Sequence, residues 1–305
     1  RLQKHVLDFL GVEQLACVMG GSMGGATSLE WPLCFPVRTP SSPDAITSTS
    51  SDKPYVRSIV VLAASPRHSA WCIAWCEIQR QAIEADTRFN GGRYLLRDPP
   101  QGGLAAARMC ALMTYRQPHS FERRFSRMRG KSNLAPSPPK EESQASSLME
   151  EGGDEDVDVS KISQPQAQEQ YAVQSYLHHH GTKFLTRFDA LCYIHLSNKL
   201  DSHDVTRDRE SWASGAKDDA TVLKGVLGHL NKPRNSPHVL ILSVTSDMLY
   251  TPAEQASIHD AIPTSELVHI ESAEGHDGFL IEYPQIDRAI RAFMERLNVS
   301  HASSL

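Results

Sequence analysis

Leu15-Ala16-Cys17-Val18-Met19-Gly20-Gly21-Ser22-Met23-Gly24-Gly25-Ala26-Thr27-Ser28-Leu29-Glu30-Trp31 decides how this chain folds. Residues 15–19 form an apolar run of strand length, and the residues from Gly25 onwards read as the opening of a helix. Between them Gly20–Gly24 fit G-x-S-x-G. A strand, a sharp turn and a helix place the Ser22 hydroxyl at the tip of a strained elbow. Glycines are expected on both sides, because a Cβ there would collide with the neighbouring strand and helix. Glycine-rich serine loops also arise by chance, so the weight rests on what surrounds this one.

The surroundings are those of a parallel α/β sheet. Residues 59–63 and 239–244 are continuous apolar runs, as in strands buried on both faces, and 267–270 is a third. Helical patterns cover 71–86, 103–116, much of 171–204 and 285–297, where Ile286, Ile290, Phe293 and Leu297 fall in phase. In α/β-hydrolase folds a serine elbow is followed first by an Asp or Glu and then by a His. Asp247 stands just past the strand at 239–244 and His276 just past the one at 267–270, where the carboxyl ends of parallel strands converge on a crevice. Taken singly, Asp247 reads as a helix cap, His276 as a surface histidine and Ser22 as a small turn residue. Three in this order, each at a strand end, read as a catalytic triad. His276 is then the general base for Ser22, Asp247 fixes its tautomer, and the Met23 backbone N–H donates to the oxyanion.

Composition narrows the function classes. The 305 residues are 40% hydrophobic, enough for one large α/β domain. A net charge of -5 argues against nucleic acid as the main partner. No apolar run approaches the ~20 residues that span a bilayer, and six cysteines without disulfide-like or C-x-x-C spacing suit a reducing, cytoplasmic compartment. Two low-complexity runs interrupt the pattern. Residues 38–53 are rich in Ser, Thr and Pro, and 130–170 in Ser, Pro, Gln, Glu and Asp; both are expected to be flexible.

Several weaker signals are set aside. His178-His179-His180 point in different directions on a helix. Asp154–Asp158 lacks the glycine and the twelfth-position glutamate of a calcium loop. The basic run Arg123, Arg124, Arg127, Arg129 and Lys131 has no glycine-rich cradle beside it. Cys72 and Cys76 read as packing residues. The chain opens at Arg1 inside an amphipathic helix, with Leu2, Val6, Phe9 and Leu10 on one face and Gly11 as its stop. This start is expected of an N-terminally truncated chain whose upstream strands and second oxyanion donor are missing.

Taken together, the residues resemble the homoserine O-acetyltransferases, most of all fungal members. The likeness runs through Gly20–Gly25 with Leu29-Glu30-Trp31, then Arg67-His68-Ser69-Ala70-Trp71-Cys72, Gln79–Ile83, Gly103–Arg108 and Leu112–Arg116. It continues through Ser120–Phe125, Phe188-Asp189-Ala190, Leu200–Asp204, Ser246-Asp247 and Gly275–Leu280. The resemblance implies an α/β-hydrolase fold, a mostly parallel sheet flanked by helices, with a helical lid insertion. It implies core over 1–99, lid and dimerisation insertion over 100–204, and core again over 205–305. It implies transfer of an acetyl group from acetyl-CoA to L-homoserine through an acetyl-serine intermediate, in methionine biosynthesis. L-serine and deacetylcephalosporin C are alternative acceptors, and a plain esterase or an inactive fragment are further readings. By the same resemblance Arg108 and Tyr115 match substrate-binding residues, as does Asp277 directly after the catalytic His. A guanidinium suits the acceptor's carboxylate and a carboxylate its ammonium. No permanent cofactor or metal is implied, and the chain is expected to be a homodimer. From spacing alone Arg108 is a solvated or ion-paired residue and Tyr115 a core aromatic.

Overall fold

The computed structural model describes residues 2–36, 53–129, 171–213, 215–216, 218–231 and 236–302. Lys131, Asp154–Asp158 and nearly all of the runs over 38–53 and 130–170 lie outside the described residues.

Four strands form one parallel sheet: β1 (Val18–Gly21), β2 (Ser58–Leu62), β3 (His238–Val244) and β4 (Glu266–Ile270), side by side in that order. Val18 is in register with Ile59, Val60 with Leu240, and Leu242 with Val268. Every residue of β2 is buried, as is β3 after His238, which accounts for their unbroken apolar sequence. β1 starts three residues later than the apolar run suggests. Leu15 makes only an isolated bridge to Val56, while Gly20 and Gly21 keep pairing up to the serine. Glycine carries no strand propensity of its own, so this extension is written in the partner strand.

Helices cover both faces. α2 (Met23–Cys34), α8 (Asp219–Leu227) and α9 (Pro252–Ala261) bury Leu29, Leu33, Val226, Leu227 and Ile258 against Ile59, Val61 and Ile241. α10 (Tyr283–Ala302) lays Ile286 and Phe293 against Val60, Leu240 and Leu242 on the other face. Each such fully buried aliphatic side chain contributes roughly 1.5–3 kcal/mol. A separate helical layer is built from α3 (Ala70–Glu84), α4 (Gln101–Tyr115), α6 (Ala172–Leu185) and α7 (Ala190–Asp201). Its own core holds Ile83, Leu104, Ala107, Phe184 and Ala190, and α5 (Pro118–Phe125) packs beside α6. Gly103 sits where α4 touches α3; a Cβ there would come within 2.5 Å of the Ala82 carbonyl oxygen.

Helix α1 (Leu2–Phe9) turns its apolar residues outwards, with Leu2 and Phe9 79% and 88% exposed. It buries Lys4 instead, whose ammonium lies 4.7 Å from the centre of the Tyr55 ring. All six cysteines are free thiols. Among the described residues no helix is long and apolar enough to cross a membrane.

Candidate active site

The nucleophile elbow forms as its sequence demands. Ser22 sits between β1 and α2 with φ 56° and ψ −122°, a conformation that costs a non-glycine residue on the order of 1–3 kcal/mol. Its N–H donates to the Leu62 carbonyl at 3.0 Å, tying the elbow to the end of β2. The glycines divide the steric work differently from the motif. A Cβ on Gly20 would lie 2.3 Å from the Gly24 carbonyl carbon, and one on Gly25 would lie 2.5 Å from the Ala64 Cβ. A Cβ on Gly24 itself would meet open space, so Gly25 rather than Gly24 carries the constraint on the helical side.

Asp247 and His276 follow β3 and β4 as their positions predict. The Asp247 N–H donates to the Val244 carbonyl at 3.1 Å, closing a tight turn at the strand end. Gly275 has φ +67° and presses against the end of α4, where a Cβ would lie 2.7 Å from the Tyr115 carbonyl oxygen. That close approach swings His276 over the elbow. His276 Nε2 lies 3.0 Å from Ser22 Oγ, and Nδ1 lies 2.7 Å from Asp247 Oδ2. The other oxygen of Asp247 accepts the N–H groups of Leu249 (2.8 Å) and Tyr250 (2.9 Å). Asp247 and His276 are 2% and 3% exposed, so water does not compete for these contacts. A carboxylate only accepts, so Nδ1 carries the proton and Nε2 is left to accept from the serine. This is the arrangement a serine general base requires. Met23 is the first residue of α2, where an N–H has no partner inside the helix and the helix dipole favours negative charge.

Beside the triad, between elbow and helical layer, lies a cavity of about 290 Å³. Ser22, Met23, Arg108 and Tyr115 line it together with Trp75, Gln79, Phe184 and Tyr193. The Arg108 guanidinium lies 5.7 Å from the Tyr115 ring centre and 5.1 Å from that of Phe184. It pairs with no carboxylate among the described residues. Burial pushes the Tyr115 phenol up, partly opposed by Arg108. Asp277 is placed differently from the expectation: its carboxylate is ion-paired with Arg116 Nε at 2.8 Å and is not part of the cavity lining. Arg116 also pairs with Glu274, which takes Arg123 and, at 2.6 Å, the Ser120 hydroxyl. The remaining described members of the basic run lie over aromatic rings, Arg124 on Phe125 and Tyr176, Arg127 and Arg129 on Tyr171.

His68, Asp201 and Tyr250 were not singled out by their own sequence as supporting residues. His68, after β2, holds Asp201 Oδ1 at 3.0 Å through Nδ1 and the Tyr250 hydroxyl at 2.7 Å through Nε2. Both His68 and Asp201 fall inside blocks that carry the family resemblance, which was the available signal. Cys76 approaches the same pair, and the three could bring ligand atoms within 4.8 Å of one another. They do not suit a cation. Arg80 already sits on Asp201 at 2.7 Å, both ring nitrogens are engaged, and burial pushes the Cys76 thiol up to about 12.

Comparison with known proteins agrees with this fold. The model of the α/β hydrolase fold family matches residues 2–283. Homoserine O-acetyltransferase of Schizosaccharomyces pombe is 37% identical over 96% of this chain and 63% of its own length. Homoserine O-acetyltransferase FUB5 of Fusarium oxysporum f. sp. lycopersici is 40% identical over 96% of this chain and 72% of its own. The chain belongs to the homoserine O-acetyltransferase family of α/β-hydrolase-fold proteins. It spans less than two thirds of the length of several such relatives, among them that of Saccharomyces cerevisiae at 64%. Among solved structures, homoserine O-acetyltransferase from Bacillus anthracis superposes with a TM-score of 0.67 at 16% identity, covering 96% of this chain and 63% of that one. Esterase E22 gives 0.67 at 18% identity, covering 96% and 64%. At such identities these two likenesses speak for the fold alone.

Proposed function

We propose that this chain carries the acetyl-transferring centre of an enzyme that moves an acetyl group from acetyl-CoA to the hydroxyl of L-homoserine. The observation that carries the reading is the Asp247–His276–Ser22 chain opening on a cavity where Arg108 has no carboxylate partner among the described residues. In the first half-reaction Ser22 Oγ attacks the thioester carbonyl and gives its proton to His276 Nε2. The C–S bond then breaks and that proton passes to the CoA sulfur, leaving acetyl-Ser22 and free CoA. In the second half-reaction the homoserine hydroxyl loses its proton to His276 and attacks the acetyl carbon. Ser22 Oγ leaves and takes the proton back. The Met23 N–H stabilises both oxyanions. Arg108 holds the acceptor's carboxylate, and the Tyr115 ring beneath the guanidinium fixes its plane. Asp277 serves the acceptor's ammonium only when its carboxylate is shared with or released from Arg116.

In this reading the insertion over 100–204, whose described helices are α4 to α7, acts as the lid and as the surface through which two copies pair. The protein works in the cytoplasm as part of methionine biosynthesis, with acetyl-CoA as co-substrate and no resident metal or prosthetic group. Initial rates with acetyl-CoA fixed test the acceptor. Homoserine acetylated faster than L-serine, deacetylcephalosporin C and water supports the assignment. A preference for serine or the cephalosporin changes the acceptor, and hydrolysis alone makes the protein an esterase.

A further inference from the structure

The triad has a counterpart beside it, reached through the Tyr250 ring, whose centre lies 5.3 Å from that of His276. Asp201, at the end of α7, accepts from His68 Nδ1 at 3.0 Å, and His68 Nε2 meets the Tyr250 hydroxyl at 2.7 Å. The order carboxylate, imidazole, hydroxyl repeats that of Asp247, His276 and Ser22. Asp201 is also ion-paired with Arg80 of α3, whose Nη1 lies 2.7 Å from its second oxygen. With Asp201 accepting, Nδ1 of the neutral ring bears the proton and Nε2 accepts from Tyr250. Burial pushes the Tyr250 phenol well above its ordinary range, so it keeps the proton it donates.

Tyr250 joins the two chains. Its backbone N–H donates to Asp247 at 2.9 Å, and its ring stands edge-on to the His276 imidazole with centres 5.3 Å apart. Tyr250 is 5% exposed. We propose that Asp201, His68 and Tyr250 form a positioning relay that fixes His276 against Ser22 and ties the helical layer, through α3 and α7, to the catalytic loop. His276 has to keep Nε2 on the serine while its ring remains free to gain and lose a proton. A ring packed against a phenol that cannot rock stays in that orientation. The relay transfers no proton to substrate and acts through Tyr250 alone.

This inference rests on the reading of Ser22 as the acylated nucleophile, and its test isolates acylation. The full chain is mixed rapidly with p-nitrophenyl acetate; the burst amplitude of p-nitrophenol counts folded sites and the burst rate constant reports acylation. Tyr250→Phe keeps the ring and the backbone N–H and removes only the hydroxyl. His68→Asn and Asp201→Asn cut the relay further from the triad. The expected result is full amplitude, unchanged KM for the ester, and a burst rate constant lowered about tenfold in each variant. The Tyr250→Phe/His68→Asn double variant is expected to be no slower than its slower parent, because both break one relay. Burst rate constants within about twofold of the unaltered chain, losses that multiply in the double variant, or a change confined to KM would overturn the relay. If one variant yields no amplitude because it does not fold, the other two decide. No amino-acid acceptor is involved, so a wrong acceptor leaves the relay's outcome intact, whereas an unaltered chain without any burst refutes Ser22 as nucleophile and the relay with it.

Discussion

Replacing Asp247 by Asn separates a triad from a helix-capping aspartate. The carboxylate accepts three hydrogen bonds, from Leu249 N–H (2.8 Å), Tyr250 N–H (2.9 Å) and His276 Nδ1 (2.7 Å). An amide has one accepting oxygen and must choose. If the oxygen stays with the two backbone N–H groups, the NH₂ faces His276 and forces Nδ1 to accept. The ring proton then sits on Nε2, aimed at Ser22, and the base is lost. If the amide flips, His276 keeps its tautomer but two buried N–H groups are left facing an NH₂, at roughly 1–3 kcal/mol each. The first arrangement is therefore favoured, and acylation is expected to fall about 10⁴-fold, or ~5 kcal/mol in the barrier. The burst of p-nitrophenol from p-nitrophenyl acetate measures it, with circular dichroism confirming the fold. A loss smaller than about tenfold in a folded variant would refute the assignment of Asp247 as the residue that orients the base.

Gly25→Ala, whose Cβ would lie 2.5 Å from that of Ala64, should lower stability by about 1–3 kcal/mol, whereas Gly24→Ala, which meets open space in a helix, should be neutral or stabilising; thermal melts of the two compare them directly. Arg108→Ala should raise KM for the amino-acid acceptor ~10- to 100-fold and leave the ester burst far less affected, as steady-state and burst kinetics would show; equal loss in both would remove Arg108 from acceptor binding. Hydrogen bonding from Ser120 and the Arg116 charge hold the Glu274 carboxyl below its ordinary 4.5, so its contribution to stability is complete above that value and is lost as pH falls through the lower folded value. Glu274→Gln should therefore melt at a lower temperature at neutral pH and lose less on acidification below about pH 4.5; melts with parallel pH slopes would contradict this.

Much of the fold and of the placement of the candidate triad was legible because both depend on local order along the chain. β2 and β3 announce themselves as apolar runs because both faces are covered, and the serine, aspartate and histidine each follow within a few residues of a strand end. What escaped depends on contacts between distant elements. His68 and Asp201 are 133 positions apart, and nothing local to either reveals the other. Nothing local to Asp277, beside His276, reveals the ion pair it makes with Arg116 from the end of α4. Gly24 belongs to the motif's pattern, yet only the packed elbow shows that the space beside it is open and that Gly25 faces Ala64. The outward apolar face of α1 was equally hidden, because periodicity locates a stripe and not the side that is covered.

The measurement that bears most directly on the account is mass spectrometry of the chain after brief exposure to acetyl-CoA without acceptor. One acetyl increment is expected on the peptide that carries Ser22, absent in Ser22→Ala, and lost on addition of homoserine with formation of O-acetylhomoserine. An acetyl group on another residue, or none under conditions where acetyl-CoA is consumed, would contradict it.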